Sequence, residues 1–302
     1  DDGAPYGGKD FVFWNPPLVN EARGTRRSAN SEASQLFTEL VKSGTRTILF
    51  ARSRRLAELL YVYSRERLRE TDRELAKRIS PYRAGYTPED RRRIEQELVR
   101  GDLLGVSATN ALELGVDIGD LDATVLTGYP GSIASVWQQA GRSGRRGARS
   151  LSALVALDNP LDQYFMRHPD IFFGKTCEHA LISPSNPHML RPHLLCAAYE
   201  FPLTEVDIKY FGPEMTGHVA ALAEQGFLHE RRRTWYLSAS VAYPAAGVNL
   251  RSTSNDPYTI VEEGTGALLE TVESAVAFFQ VHQGAIYLHQ GETYLITGLD
   301  IP

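Results

Sequence analysis

The sequence contains little cysteine and no long apolar run. Its 302 residues include two cysteines, Cys177 and Cys196, whose separation matches neither a redox CxxC pair nor a common zinc-ligand pattern. No apolar stretch approaches the roughly 18 residues that a membrane span requires, and the first residues lack the basic and apolar regions of a signal peptide. These absences exclude a disulfide scaffold and a membrane-spanning helix. We therefore expect a soluble, cytoplasmic protein that binds neither a metal nor a membrane.

Basic residues are unevenly distributed along the chain. The net charge is −5, yet residues 1–173 carry 25 Lys and Arg against 23 Asp and Glu, whereas the remainder carries 7 against 14. Arginine far outnumbers lysine in the first part, and its planar, multidentate side chain suits phosphate contacts. Any binding to nucleic acid is therefore expected to use local basic patches rather than the charge of the whole chain.

Strands alternate with amphipathic helices through residues 11–173. The predicted strands are 11–14, 45–50, 79–83, 103–107, 123–127 and 151–157, and the predicted helices are 28–43, 54–69, 88–99 and 133–139. This alternation predicts a parallel α/β sheet, with functional residues in the loops at the carboxyl ends of the strands.

The pattern changes after about residue 174. Three short helices, 188–201, 205–211 and 213–225, precede a hairpin at 227–237, an order that is typical of a winged helix. Short strands around a helix at 272–279 follow. We thus predict an α/β lobe at 1–173, a winged-helix domain at 174–240 and a β-rich segment at 241–302, which has a structural role and begins a truncated C-terminal region.

Three segments carry the functional signal. They are Leu49–Arg54 (LFARSR), Ser107–Gly119 (SATNALELGVDIG) and Gln138–Gly147 (QQAGRSGRRG). The first lies at the end of a predicted strand, and the other two lie at junctions of predicted strands and helices. In this order they resemble motifs IV, V and VI of the second RecA-like lobe of superfamily 2 helicases. A flexible Gly- and Arg-rich loop remains the alternative for the third segment taken alone.

The third segment suits phosphoryl transfer, which needs cations beside the γ-phosphate oxygens. Arg142 and Arg145 lie one helical turn apart and can face one nucleotide. The resemblance implies that Arg145 is an arginine finger, that Arg142 neighbours the γ-phosphate, and that Gln138 orients the nucleotide or the attacking water. It also implies that Asp117 contacts the ribose, beside Gly115, whose missing side chain permits close approach.

Other polar side chains suit the phosphates of a nucleic acid. Those in the lobe are Arg52, Ser53, Arg54, Thr109 and Asn110. In the winged helix, Arg231, Arg232 and Arg233 stand beside Trp235 and Tyr236, which offer stacking rings. The alternatives are solvated helix ends for Arg52 and Arg54, and a polar hairpin tip with core aromatics for 231–236.

Further segments narrow the resemblance. Tyr82–Tyr86 (YRAGY), Pro192–Glu200 and Gly284–Gly291 are similar to the DNA helicases of the MrfA, SftH and Hrq type, so that the resemblance covers nearly the whole chain. It implies ATP-driven movement along single-stranded or tailed DNA from 3′ to 5′, and a role in DNA repair.

Three family features are missing from the sequence. No Gly-x-x-x-x-Gly-Lys-Ser/Thr loop and no Asp-Glu-x-His block occur, so we expect ATP and Mg²⁺ to be bound mainly by a missing first RecA-like lobe. A zinc-binding module of four cysteines is missing too. We therefore expect a fragment, truncated at both ends and inactive by itself. The alternatives are a nonenzymatic DNA-binding or partner-docking module, and an RNA helicase, because phosphate contacts do not distinguish the sugar.

Overall fold

A computed structural model describes residues 8–20, 22, 24–114, 118–119, 121–144, 149–174, 178, 183–248 and 258–301. The chain folds into two compact units. The first unit contains Asp1–Glu178, Thr259–Val272 and Ala277–Pro302, and the second contains His179–Tyr258 and Glu273–Val276. None of the described helices is both long and apolar enough to cross a membrane.

Strands and helices alternate in the first part of the chain. The elements are β1 (Lys9–Trp14), β2 (Leu18–Asn20), β3 (Thr25–Arg26), α1 (Ala29–Lys42), β4 (Thr47–Phe50), α2 (Arg54–Thr71), a 3₁₀ turn (Leu75–Arg78), β5 (Ile79–Tyr82), α3 (Pro88–Arg100), β6 (Gly105–Ala108), a 3₁₀ turn (Asn110–Leu112), β7 (Ala123–Thr127), α4 (Ile133–Ala140), β8 (Ser150–Val155), α5 (Pro160–Arg167) and α6 (Asp170–Gly174).

Six of these strands form one parallel sheet in the order β1-β8-β7-β4-β6-β5. Residues of β4 alternate between the two faces: Ile48 and Phe50 join the core that includes α3 and α4, whereas Leu49 joins the core that includes α1 and α2. Burial on both faces explains why β4, β6 and β7 contain few charged residues. The predicted RecA-like parallel sheet is confirmed.

The second unit has the predicted winged-helix fold. Its elements are α7 (Pro187–Glu200), β9 (Leu203–Thr204), a 3₁₀ turn (Glu205–Asp207), α8 (Ile208–Phe211), α9 (Met215–Glu224), β10 (Leu228–Arg231), β11 (Thr234–Leu237) and a 3₁₀ turn (Pro244–Gly247). The three strands form an antiparallel sheet in the order β10-β11-β9. Leu194, Val219 and Trp235 belong to its core, which joins the helices to the hairpin.

The last part of the chain returns to the first unit. It contains β12 (Tyr258–Val261), β13 (Leu268–Val272), α10 (Ser274–Gln280), β14 (Ile286–His289) and β15 (Glu292–Leu295). The sequence placed residues 241–302 in a segment of their own, but residues 259–272 and 277–302 belong to the same compact unit as the parallel sheet. The physical reason is a buried ion-pair cluster in which Glu270 meets arginines of the lobe.

Candidate functional site

A cavity of about 220 Å³ opens at the carboxyl edge of the sheet, where β4, β6 and β7 end. After β4 the chain builds β5 and β6 on one side, then crosses to build β7 and β8 on the other. Such a switch point leaves a crevice in which α/β proteins bind ligands. The cavity is lined by Phe50, Ala51, Arg52, Asn110, Glu113, Thr127, Gly128, Pro130, Ser135 and Gln139. It therefore brings together two residues selected from the sequence, Arg52 and Asn110.

Glu113 connects the second motif segment to the third. Its backbone carbonyl accepts hydrogen bonds from Nε and Nη2 of Arg142, at 2.9 and 2.6 Å. Its carboxylate accepts a hydrogen bond from Nε2 of Gln139 at 3.0 Å. All three side chains are buried, whereas Gln138, selected from the sequence, is exposed. A shift of either segment is therefore transmitted to the other through Glu113.

Two of the selected hydroxyl groups cap helices. The Ser53 hydroxyl accepts a hydrogen bond from the amide of Leu56 at the start of α2. The Thr109 hydroxyl accepts one from the amide of Ala111 at the start of the 3₁₀ turn. Because such caps satisfy otherwise unpaired amides, both residues hold the loops after β4 and β6 in shape. Ser53 is exposed and Thr109 is buried.

Lys9 holds the start of the third motif segment. Its ammonium group donates to the carbonyl oxygens of Ala140 and Ser143, the latter at 2.9 Å, beyond the end of α4. A cation at this position complements the partial negative charge of a helix C-terminus. Burial lowers the pKa of Lys9 to about 8. The amide of Gly144 also donates to the carbonyl of Leu121 at 3.0 Å, so the chain is fixed just before Arg145.

Three selected residues, Gly115, Asp117 and Arg145, lie outside the described residues. Their roles stay predictions. Glu113, Gln139 and Lys9 were not selected from the sequence. Glu113 and Gln139 lie within the motif segments, so their position beside selected residues could have identified them. Lys9 lies more than 130 positions from its hydrogen-bond partners, and no local pattern indicates that contact.

The tip of the winged-helix hairpin has an unusual backbone. Arg232 and Arg233 connect β10 to β11 with φ angles of 54° and 59°. Positive φ at both central positions is what a type I′ hairpin turn requires, and Asn-Gly is the preferred pair there. Two arginines thus occupy a conformation that disfavours them. All three arginines at 231–233 are exposed, whereas the Trp235 ring is buried in the core.

Replacing Arg232 by Asn and Arg233 by Gly tests whether strain at this tip is retained for binding. The free energy of unfolding of the winged helix should rise by about 1–2 kcal/mol, because left-handed backbone costs L-residues that much. DNA affinity should fall, with the salt dependence of log K reduced by about two. Urea unfolding and fluorescence anisotropy measure the two effects. A control with Lys at both positions keeps charge and strain; equal affinity of the Asn-Gly and Lys-Lys variants would contradict a DNA contact here.

A buried cluster of opposite charges joins the lobe to the C-terminal strands. Arg83 is 3% exposed; its Nη2 lies 2.7 Å from Oε2 of Glu270, and its Nε lies 3.2 Å from Oε1 of Glu58. Arg54 approaches the same Glu270 carboxylate at 3.6 Å. Burial raises the pKa of Glu270, but hydrogen bonds from His289 and Tyr287 and the charges of Arg83 and Arg54 together lower it by more, so the net pKa lies below its usual value. Glu270 is therefore ionised at neutral pH and orients Arg54.

Residues of the segment YRAGY position the charged groups of this cluster. The Tyr86 hydroxyl donates to Glu58, and the Arg83 guanidinium lies 5.1 Å from the centre of the Tyr86 ring. A Cβ at position 85 would overlap with the Glu270 carboxylate, so glycine is required there. The backbone of 288–291 completes the cluster, since Leu288 accepts from Arg83 and the amide of Gly291 donates to Glu58.

Comparisons with known proteins agree with this architecture. A family model described as the helicase conserved C-terminal domain matches residues 31–147. A second, described as the winged helix domain of ATP-dependent helicase HRQ1, matches residues 182–253. The crystal structure of DUF1998 helicase MrfA bound to DNA and AMPPNP is similar over 99% of this chain and 42% of MrfA, with a TM-score of 0.83 and 43% identity. The chain thus has the helicase C-terminal domain and the HRQ1-type winged helix, and over nearly its whole length it is similar to superfamily 2 helicases of the MrfA and Hrq type.

Relatives of this helicase type extend well beyond the matched region. The chain is 45% identical to the uncharacterized ATP-dependent helicase YprA of Bacillus subtilis, over 99% of the chain and 40% of YprA. It is 38% identical to ATP-dependent helicase hrq1 of Schizosaccharomyces pombe, over 99% of the chain and 28% of that relative. The chain thus spans less than half the length of these MrfA- and Hrq-type helicases.

Proposed function

We propose that this chain is the C-terminal half of the motor, with its winged helix, of an ATP-dependent DNA helicase or translocase. The longer protein moves from 3′ to 5′ along single-stranded or tailed DNA and acts in DNA repair. The observation that carries the proposal is the cavity at the switch point, where residues of all three motif segments meet and Glu113 joins two of them. The DNA and AMPPNP bound by MrfA, the similar protein of known structure, support both ligands.

The third motif segment serves the nucleotide in this proposal. Arg145 is the arginine finger, Arg142 neighbours the γ-phosphate, and Gln138 orients the nucleotide or water. Gly115 and Asp117 approach the ribose. Cations supplied from a second lobe gate hydrolysis, because the developing negative charge is stabilised only when the lobe is in place. The Lys9 and Glu113 contacts hold this segment in position.

ATP and Mg²⁺ need a further protein surface. The sequence lacks the glycine-rich lysine loop that holds the β- and γ-phosphates and the acidic block that holds Mg²⁺. The donors at the switch-point cavity, Arg52, Asn110 and Gln139, fit phosphate or sugar oxygens, whereas the carboxylate that lines it, Glu113, already accepts a hydrogen bond from Gln139. A first RecA-like lobe in the longer protein therefore holds most of the nucleotide. The chain alone hydrolyses no ATP, and any zinc belongs to a further C-terminal module.

The nucleic acid lies across the carboxyl edge of the sheet. Arg52, Ser53, Arg54, Thr109 and Asn110 hold backbone phosphates. Arg231, Arg232 and Arg233 of the winged helix add cations. Phosphate contacts carry affinity without reading sequence, which suits a motor that moves over any base.

Hydrolysis of ATP by the intact protein tests this function. We expect turnover that rises severalfold with single-stranded DNA and less with single-stranded RNA of the same length, while residues 1–302 alone show none. The measurement is phosphate release with and without each strand. Absence of hydrolysis by the intact protein with either strand would contradict the motor and favour a binding module; equal stimulation by RNA would contradict the preference for DNA.

A further inference from the structure

A second cavity, of about 380 Å³, lies beside the first turn of α2, within the first unit. On one side it is lined by Arg54 and Arg55, and on the other by residues 279–288 of the C-terminal segment. Of the residues selected from the sequence, Arg54 alone lines it. We call it the α2 pocket.

The α2 pocket presents positive charge. Arg55 is exposed and forms no ion pair within the described part of the chain. Arg54 is held 3.6 Å from Glu270. Arg83 and Arg54 together compensate the two buried carboxylates, Glu58 and Glu270, so the charge of Arg55 is left over. The Arg55 guanidinium therefore favours an anionic ligand, and a phosphate group matches the planar hydrogen-bond donors of arginine.

A large aromatic ring stands at the rim of the same pocket. Phe279 is 83% exposed at the end of α10, whereas Ala277 and Val281, two positions before and after it, are buried. The ring is thus turned away from the core. Ile286, 65% exposed, extends this apolar rim. Exposed aromatic rings beside a track of cations are the arrangement by which proteins bind single-stranded nucleic acids, since every base offers a face for stacking.

The location of the pocket connects it to the carboxyl edge of the sheet. Arg54 and Arg55 follow Arg52 and Ser53 in the chain. Arg52 lines the switch-point cavity, and Ser53 caps α2. The two cavities are therefore lined by residues that lie two positions apart in the chain, Arg52 in one and Arg54 in the other. The ion pair with Glu270 orients Arg54 before any ligand arrives, which reduces the entropy lost on binding.

We propose that the α2 pocket holds one nucleotide of a single strand, with the base stacked on Phe279 and the phosphate bound by Arg55. The assignment rests on the proposed function, and it adds a base-stacking contact from the C-terminal segment to the phosphate contacts of the lobe. The same chemistry, a base and a phosphate, is also offered by a free mononucleotide. The experiment therefore includes both sources.

Binding of labelled oligo(dT) to the intact protein tests the assignment. Phe279→Ala should raise Kd at least about fivefold, the loss expected for one base stack, and Phe279→Trp should keep the wild-type Kd. Arg55→Ala should lower the salt dependence of log K by about 0.7. Tyr63→Ala and Arg100→Ala are the matched controls, because they remove an exposed ring from α2 and an exposed cation from α3 outside this pocket; both should bind as wild type.

Each outcome decides between two claims. If wild type binds oligo(dT), and Phe279→Ala and Arg55→Ala change its Kd no more than the controls do, the assignment of the α2 pocket is wrong. The proposed motor function is not contradicted by that result. Absence of wild-type binding to oligo(dT) overturns the proposed function and the pocket together. If dTMP competes with an affinity equal to that of oligo(dT), and Phe279→Ala abolishes this competition, the pocket is a mononucleotide site and the assignment to a single strand is wrong.

Discussion

Replacing Arg145 by Ala in the intact protein is expected to lower ATP turnover in the presence of DNA by about a thousandfold, the lower end of the effect of an arginine finger. The guanidinium stabilises charge that develops on the γ-phosphate oxygens, so its loss should reduce kcat while Kd for DNA stays near the wild-type value. Steady-state phosphate release at saturating DNA and oligo(dT) anisotropy measure the two quantities.

The adjacent arginine provides the matched control. Arg146→Ala removes the same charge from the same segment and should retain turnover within a fewfold of wild type. Equal loss in the two variants would show a general effect of charge and would contradict the role assigned to Arg145. Unchanged turnover in Arg145→Ala would contradict the finger itself.

Arg142 separates positioning from chemistry in the same segment. Its side chain is buried and donates twice to the carbonyl of Glu113, so truncation removes a tether as well as a cation. Loss of turnover at position 142 therefore reports both effects, whereas loss at position 145 reports the cation. The tether at Arg142 follows from its contacts with Glu113, whereas the sequence assigns both arginines to the nucleotide and indicates no tether.

Local patterns sufficed for the six strands of the parallel sheet and for α1 to α4, whereas β2, β3, α5 and α6 were not predicted. Strand β4, a run of four buried residues, and α3, with Thr87 as cap and Pro88 in its first turn, carry their signals within a few positions. The motif segments were visible for the same reason, because each is a continuous stretch at a strand or helix end. The prediction was therefore good wherever neighbours in sequence determine the structure.

Contacts between residues that are far apart in the sequence were not predicted. Arg83 donates to Leu288, which lies 205 positions away, and no periodicity links the two. Arginine and glutamate are ordinarily expected at the surface. The sequence therefore gives no reason to bury Arg83 and Glu270 or to pair them. This cluster joins the C-terminal segment to the first unit, and because no sequence pattern links its members, the sequence suggested a separate segment.

Replacing Glu270 by Gln is expected to destabilise the first unit by at least about 3 kcal/mol, because removing one partner of a buried ion pair leaves the other charge without compensation. Urea unfolding of the chain, followed by tryptophan fluorescence in a Trp235→Phe background, measures this unit, since Trp14 and Trp137 both lie within it. Glu74→Gln is the matched control: Glu74 is 80% exposed and pairs with Lys77, and such exposed pairs contribute about 0–1 kcal/mol.

The pH dependence identifies the charge as the cause. The pKa of Glu270 in the folded chain lies below its usual value, so its contribution is present above the usual carboxyl pKa of about 4.3 and is lost as the pH falls through the folded value. The difference between wild type and Glu270→Gln should stay constant from about pH 7 to 5 and shrink below about pH 4, where the wild-type carboxyl becomes neutral as well. Gly85→Ala should destabilise the same unit, because its Cβ displaces the carboxylate, whereas Gly264→Ala, in the same unit and with open space around it, should not. A difference that stays constant through the acid range would assign the destabilisation to packing, and the cluster would then bind the C-terminal strands through its shape rather than its charge.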